Sequence, residues 1–412
     1  MSGTTVILGA GIIGCSTAFY LSESKTIQPQ NIHLVDPLPD LFQCASGLAA
    51  GFLAADWFAP SVSSLGALSF RLHKELAEKH GGREKWGYCR STGTSLSQET
   101  DVAGHRGDDW LRAEPTRTLP ESGHEQQSGK GPVWLTKRKG SSIEVISGHD
   151  STGQIDPLRL CRFLLKHCKD RGVQVHHPAK AISVLKDSKN QLASIRIVRD
   201  DGSEADIPCA RILIASGAWS PKVFSTLFPL SPVRLPLTSL AGHSLVLRSP
   251  RWSAAHEDTG CHAVFATDTL GFSPEIFSRT GGEIYVAGLN NASLELPELS
   301  SDAKINEDAI AQLKDVGKRM LGLEDGTDDL EVLREGLCFR PVTPSGRPIL
   351  SRIPDSKLGN GFSTAGAGKG GIFLAAGHGP WGISQCLGTG KVMAEMLEGL
   401  PTSADIDGLV LR

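Results

Sequence analysis

The sequence predicts a mixed α/β and α+β architecture. One doubly wound domain is assembled from separated stretches of chain, and a second domain is built mostly of antiparallel strands. Three observations predict it. The chain opens on strand, glycine loop and helix, "TVILGAGIIGCSTAFYL", from Thr5. It returns to elements of the same kind in its middle, "ARILIASGAW", and at its end, "GIFLAAGHGPWGISQCLGTGKVMAEMLEG". Between them lie short alternating apolar and polar runs punctuated by turn residues, the pattern of antiparallel strands.

The first element is the most informative. Thr5–Leu8 is apolar enough for a buried strand, and Ile13–Leu21 reads as a helix with small residues toward the sheet. Between them Gly9, Gly11 and Gly14, with Ala10, Ile12 and Ile13, form G-x-G-x-x-G. The first glycine permits the tight turn, the second lets backbone approach a pyrophosphate, and the third lets helix and strand pack closely. The next strand, "NIHLVD", ends in Asp36, twenty-two residues after Gly14, where a carboxylate can accept from a ribose 2′-hydroxyl. An acid there repels a 2′-phosphate, which argues against NADP. The motif alone leaves NAD and FAD both open.

Beyond it, "CASGLAAGFLAADWF" reads as a tight loop, and "SLGALSFRLHKELAEKHG" as a helix stopped at Gly81–Gly82. The composition turns polar from Glu99 to Gly131, the mark of an exposed insertion. Asp156–Pro157 starts an amphipathic helix, with Asp as cap and Pro in the first turn. Short strands follow, turning at Asp201–Gly202, and Asn306–Met320 reads as a helix. These elements predict one domain from 1–95, 150–230 and 334–412, and a second from 96–149 and 231–333. A contiguous block would be usual for an NAD dehydrogenase.

Bulk properties narrow the function. The 412 residues carry a net charge of −3, so no nucleic-acid or anionic-membrane surface is indicated. The nine cysteines are scattered, with no C-x-x-C pair and no His/Cys cluster, which argues against disulfides and against a bound metal. No apolar run reaches the length of a membrane span, and the first apolar run is the glycine-loop strand rather than a signal sequence. The expectation is a cytoplasmic protein in a reducing compartment.

Four separated pieces carry a family resemblance that covers nearly the whole chain. They are "GAGIIGCSTAFYL", "ASGLAAGFL" at Ala45–Leu53, "LIASGAWS" at Leu213–Ser220, and "FRPVTPSGRPIL" together with "LAAGHGPWGISQCLGTGKV". The sequence resembles the D-amino-acid oxidase, glycine oxidase and sarcosine oxidase class of FAD-dependent oxidoreductases. The segments "SGLAAGFLAADW" and "SFRLHKELAEKHGG" are further similar to a fungal cytosolic branch of undefined substrate. The resemblance implies a discontinuous Rossmann-like FAD-binding domain beside an antiparallel-sheet substrate domain, with FAD held non-covalently. It places Gly9, Gly11 and Gly14 on the pyrophosphate, Asp36 on the ribose, and Ser46 and Gly47 along the pyrophosphate and flavin. Ala181 falls at the adenine, Gly217 and Trp219 near the pyrophosphate, and Gly377, His378, Gly379, Gly382 and Ile383 along the flavin's pyrimidine edge. A helix starting near Trp381 would aim its free N–H groups at that edge, where reduction builds negative charge.

The same resemblance nominates reactive residues, each with a plainer alternative. Arg340 falls where glycine oxidases grip a substrate carboxylate, for which the forked guanidinium is suited; the alternative is an ion pair with Glu335. Cys338 falls where sarcosine oxidases attach flavin covalently; the alternative is an inert buried thiol. His378 is a candidate base, or else a shape and hydrogen-bond element of its loop. Glu275 could attract an amine cation, or pair with Arg279 at the surface. Phe52, Trp57 and Trp381 could wall the substrate pocket, or lie in the core. Ser345 stands where relatives often have Asp. Val286, in "IYVAG", falls where monomeric sarcosine oxidases carry an oxygen-activating lysine.

The expected function is oxidation of a small amine or amino acid by hydride transfer to FAD, followed by imine hydrolysis. Dioxygen or another electron acceptor would complete the cycle. A flavin-binding regulatory or trafficking protein, an FAD dehydrogenase and an NAD-linked dehydrogenase remain the alternatives.

Overall fold

A computed structural model describes residues 3–97, 131–136, 140–267, 272–323, 325, 327–366 and 369–411. The polar insertion expected at residues 99–131 lies outside the described residues except for its last one.

The first sheet has six strands in the order Ile349–Ile353, Gly371–Ala376, Arg211–Ile214, Thr5–Leu8, Ile32–Val35 and Gln174–His176. All neighbours are parallel except the first pair. Parallel strands are covered on both faces, and accordingly TVIL, RILI and GIFLAA are buried at every position. One face carries the helices Ile12–Leu21, Pro157–Arg171 and Gly382–Glu398. The first and last approach closely because Gly390 has no side chain: a Cβ there would meet Ser16 at 2.5 Å. On the other face, the antiparallel sheet of Ala179–Lys186, Leu192–Arg199 and Glu204–Pro208 joins the helix Ser220–Leu227 in a separate core.

The second sheet has ten strands and is antiparallel apart from the pairing of Cys89–Ser97 with Cys261–Ala266. Its part nearest the first sheet runs Glu331–Val342, Thr238–Arg248, Glu283–Ala287 and Glu275–Arg279. Cys89–Ser97 and Glu331–Val342 run across the expected boundaries at 95 and 334, which therefore fall inside strands rather than in linkers.

Local signals place most helices well. Asp156 caps Pro157–Arg171 by accepting from the Arg159 amide at 3.1 Å, and Asn306 caps Glu307–Leu321 by accepting from the Ala309 amide at 2.9 Å. Gly81, in the left-handed region at φ +68°, ends Pro60–His80. One expectation is corrected: "CASGLAAGFLAADWF" is not a loop throughout. It contains the short helix Ala45–Leu48 and the strand Phe52–Ala54, which pairs with Thr152–Gln154. Close packing at Gly47 accompanies the helix: a Cβ there would meet the Phe42 carbonyl at 2.3 Å, Phe42 Cβ at 3.1 Å and the Leu158 side chain at 3.2 Å.

Candidate functional site

A cavity of about 260 Å³ crosses the carboxyl-terminal ends of the parallel strands and continues under the second sheet. Strand order fixes its long axis. Ala376 ends one strand and His378 lies just beyond it, Ala215 and Ser216 follow the next, Gly9 the third, and Asp36 the fourth. Four neighbouring strands span about 14 Å at the usual spacing, which suits an extended ligand rather than a compact one. The crevice beyond the carboxyl ends of such a sheet is where nucleotides bind.

At the Asp36 end the carboxylate accepts from the Ala10 amide at 2.8 Å and the Leu38 amide at 3.0 Å. It therefore ties the glycine loop to the end of the second strand while still facing the cavity. Burial pushes its acidity down, against the lowering of pKa by those two amides. Gly9 sits at φ +106° with Ala215 behind it, and the Cβ of any residue at 11 would meet Ser46 Oγ at 2.9 Å. Ser46 Oγ accepts from the Ile12 amide at 2.9 Å, the first free N–H of the helix. Ala10, Gly14, Gly47 and Gly377 stand behind the wall, where they let backbones pack, rather than in it. Ala181, Gly217, Trp219, Gly379, Gly382 and Ile383 face the cavity. Gly217 has φ +54° and open space where a Cβ would be, so the backbone there can accept a close ligand.

The last helix begins at Gly382, directing its first N–H groups at the cavity. His378, just before it, is buried, and its Nε2 lies 3.0 Å from Thr389 Oγ1. Burial lowers its pKa to about 4, so the imidazole is neutral near pH 7. The Thr343–Arg347 turn beside it is held by Thr343 Oγ1, which donates to the Arg347 carbonyl at 2.7 Å, and by Ser345 Oγ, which accepts from the Arg347 amide at 3.3 Å.

Under the second sheet the parity of one strand matters. In Glu283–Ala287, Tyr285 and Ala287 face the cavity. Val286 points the other way, fully buried with Ile276 and Ile284 in a different core. The assignment of Val286 to a place over the ring is corrected accordingly: a one-residue shift reverses the face. The expected Glu275–Arg279 pair does not form. Arg279 is buried, donates to the Ala49 and Ala50 carbonyls and lies 3.9 Å from Glu283. Glu275 lines the cavity instead. Arg340 is likewise not paired with Glu335, which binds Lys314 at 2.7 Å; it lines the cavity and donates to Asn290 Oδ1. Phe52 and Trp381 lie outside the cavity wall, packed with Trp57 and Phe58 in the core between the sheets.

Comparison with known proteins decides what this cavity is for. The family model described as FAD dependent oxidoreductase matches residues 4–396. The chain belongs to that family. A Schizosaccharomyces pombe protein named as an oxidoreductase is 27% identical, with 98% of this chain and 97% of its own covered. Glycine oxidase from Geobacillus kaustophilus has the same fold, with TM-score 0.73, 20% identity, and 100% and 98% of the two chains covered. Iminodiacetate oxidase from Chelativorans sp. BNC1 gives TM-score 0.72 at 18% identity over 98% of each chain.

FAD is the cofactor of this FAD-dependent oxidoreductase, and its residues fit the group. Gly9, Gly11 and Ser46 would hold the pyrophosphate, Asp36 and Ala181 the adenosine, and His378, Gly379, Gly382 and Ile383 the ring. Cys338 lines the cavity, but burial pushes its thiol pKa up against the lowering by Arg340 and Arg334, which disfavours the thiolate that a covalent link requires. Among the described residues no helix is long and apolar enough to cross a membrane, and no group of three metal-ligating side chains forms. The sequence reading missed Tyr285, Asn290, Lys222 and Glu298. Strand alternation in "EIYVAG" was the available signal for Tyr285; the others come from distant segments with no local pattern.

Proposed function

We propose that this FAD-dependent oxidoreductase oxidises the C–N bond of a small amine carrying a carboxylate, an amino acid in the broad sense, with dioxygen as the electron acceptor. The observation that supports the reading is Arg340. Its guanidinium lines the cavity under the second sheet and, among the described residues, forms no ion pair. A charge held there without a counterion is matched by a ligand carboxylate, which the forked donors can bind at two oxygens.

FAD supplies a hydride acceptor when bound. The chain's own contributions are positioning and exclusion of water. Arg340 fixes the carboxylate end, and the Tyr285 and Ala287 face of the sheet closes the space above the ring position. The first turn of Gly382–Glu398 presents unpaired N–H groups that favour negative charge on a ligand beside it, by about 0.3–1 kcal/mol or more when partly buried. His378, neutral and tied to Thr389, holds the shape of that turn rather than moving a proton.

The purified protein should show the visible flavin bands, and carboxylated amines should bleach them without oxygen. Arg340→Ala should keep the flavin and lose the bleaching; bleaching at the wild-type rate would refute the assignment. Oxygen consumption after bleaching, compared with reduction of a dye, tests the acceptor.

A further inference from the structure

Glu275 and Arg340 are opposite charges that line one cavity without meeting. Among the described residues, neither forms an ion pair. Arg340 donates to Asn290 Oδ1, and among the described residues none donates a hydrogen bond to the Glu275 carboxylate. That carboxylate is half-buried on the cavity wall; desolvation there raises its pKa, while the Arg340 charge acts in the opposite direction. Two opposite charges on one cavity wall with no ion-pair partner in the protein are groups that a ligand carrying both signs completes.

The fold keeps the two apart. Glu275 pairs with Ala287, while Arg340 pairs with Leu240, and two strands of the same sheet stand between. Hydrogen-bonded strands cannot slide to close that gap. The Arg340 side chain instead reaches back over Gly242, so the guanidinium and the carboxylate face a common space from two sides.

We propose that Glu275 is the ammonium-binding residue of the site, so that the ligand is a zwitterion with its carboxylate on Arg340 and its nitrogen on Glu275. This rests on the reading of Arg340 given above and extends it. Glu275 then takes one ammonium proton: an N–H bond breaks, a carboxyl O–H forms, and the nitrogen keeps the lone pair that oxidation to an imine needs. The other titratable groups facing this space are Tyr285, Cys338, His243 and His378. The Tyr285 phenol is pushed up to about 12, His378 is held neutral, and His243 Nε2 accepts from the Asn306 amide at 3.1 Å. Glu275 is the acid among these groups.

The test uses the FAD-loaded protein and two probes of nearly the same shape, 2-aminoisobutyrate and pivalate. Neither has an α-hydrogen to lose, so binding is read from the flavin absorbance without turnover. Wild type should prefer 2-aminoisobutyrate by about tenfold or more, and Glu275→Gln should abolish that preference while leaving pivalate binding within about threefold. A preference kept by Glu275→Gln overturns the proposal. Wild-type binding of pivalate with no preference also overturns it, yet leaves the Arg340 reading standing; failure to bind either probe overturns both. A second measurement needs no probe. Removing a charge that has no partner in the protein should not lower the melting temperature at pH 8, whereas a fall of more than about 1–2 °C would assign Glu275 a structural role and end the proposal.

Discussion

The Arg340 guanidinium lies across Gly242 on the neighbouring strand, where a Cβ would come within 2.5 Å of Nη2. The missing side chain gives the arginine its place. Gly242→Ala should therefore displace Arg340 without touching the cofactor end. The expected result is a rise in KM for carboxylated amines of about tenfold, the equivalent of one charge-assisted hydrogen bond, with the flavin spectrum unchanged. Steady-state kinetics beside a flavin titration would check it.

Gly14 serves the other end. A Cβ there would press on the Gly9 carbonyl and stand 3.3 Å from Ile7 Cγ2. Gly14→Ala should push the helix off the strand and reshape the loop that carries Gly9 and Gly11. We expect a protein with at least about tenfold weaker FAD affinity and a stability loss of about 1–3 kcal/mol, the usual range for overpacking. Flavin content after gel filtration and a denaturant titration would show both.

Two buried histidines make stability depend on pH. Burial holds His378 and His73 at about 4, against 6.5 for the free side chain. The unfolded chain therefore binds more protons than the folded one between those values. Their contribution is complete above pH 6.5 and is lost as pH falls toward 4, up to roughly 3 kcal/mol each. His378→Gln should flatten the fall in melting temperature between pH 7 and pH 5; a slope equal to wild type would contradict this account.

A strap over the Asp36 end links the two sheets. Trp219 Nε1 donates to the Pro297 carbonyl at 2.8 Å, and Glu298 binds Lys180 at 2.8 Å and also Lys222. The two lysines hold the Glu298 carboxyl down at about 2. These are solvent-exposed contacts, so salt should weaken them. Glu298→Gln should speed FAD release from the holoprotein by about two- to fivefold at low salt and little at high salt, followed by the rise in flavin fluorescence.

The glycine-loop end of the cavity was legible in the sequence because its parts are local. Gly9, Gly11, Gly14 and Asp36 belong to one strand–helix–strand unit, and the turn and the close helix packing each demand glycine. Asp156 and Asn306 announced their helices for the same reason, since a cap acts within three residues. The substrate end was read less well. Val286 was placed over the ring, yet Tyr285 and Ala287 face that space; strand register is set by partners far away in sequence, and a shift of one residue exchanges the faces. Glu275 and Arg279 look like neighbours able to pair, but Arg279 is spent on the Ala49 and Ala50 carbonyls, more than 200 residues earlier.

By itself, then, the sequence determined the glycine loop, the terminal acid of the next strand, and that separated segments build the fold. Only the tertiary structure decided which charged groups share the cavity and which are consumed elsewhere. The physical reason is range: turns, caps and glycine contacts are satisfied within a few residues, whereas the partner of a buried charge is whatever the packed sheets bring beside it.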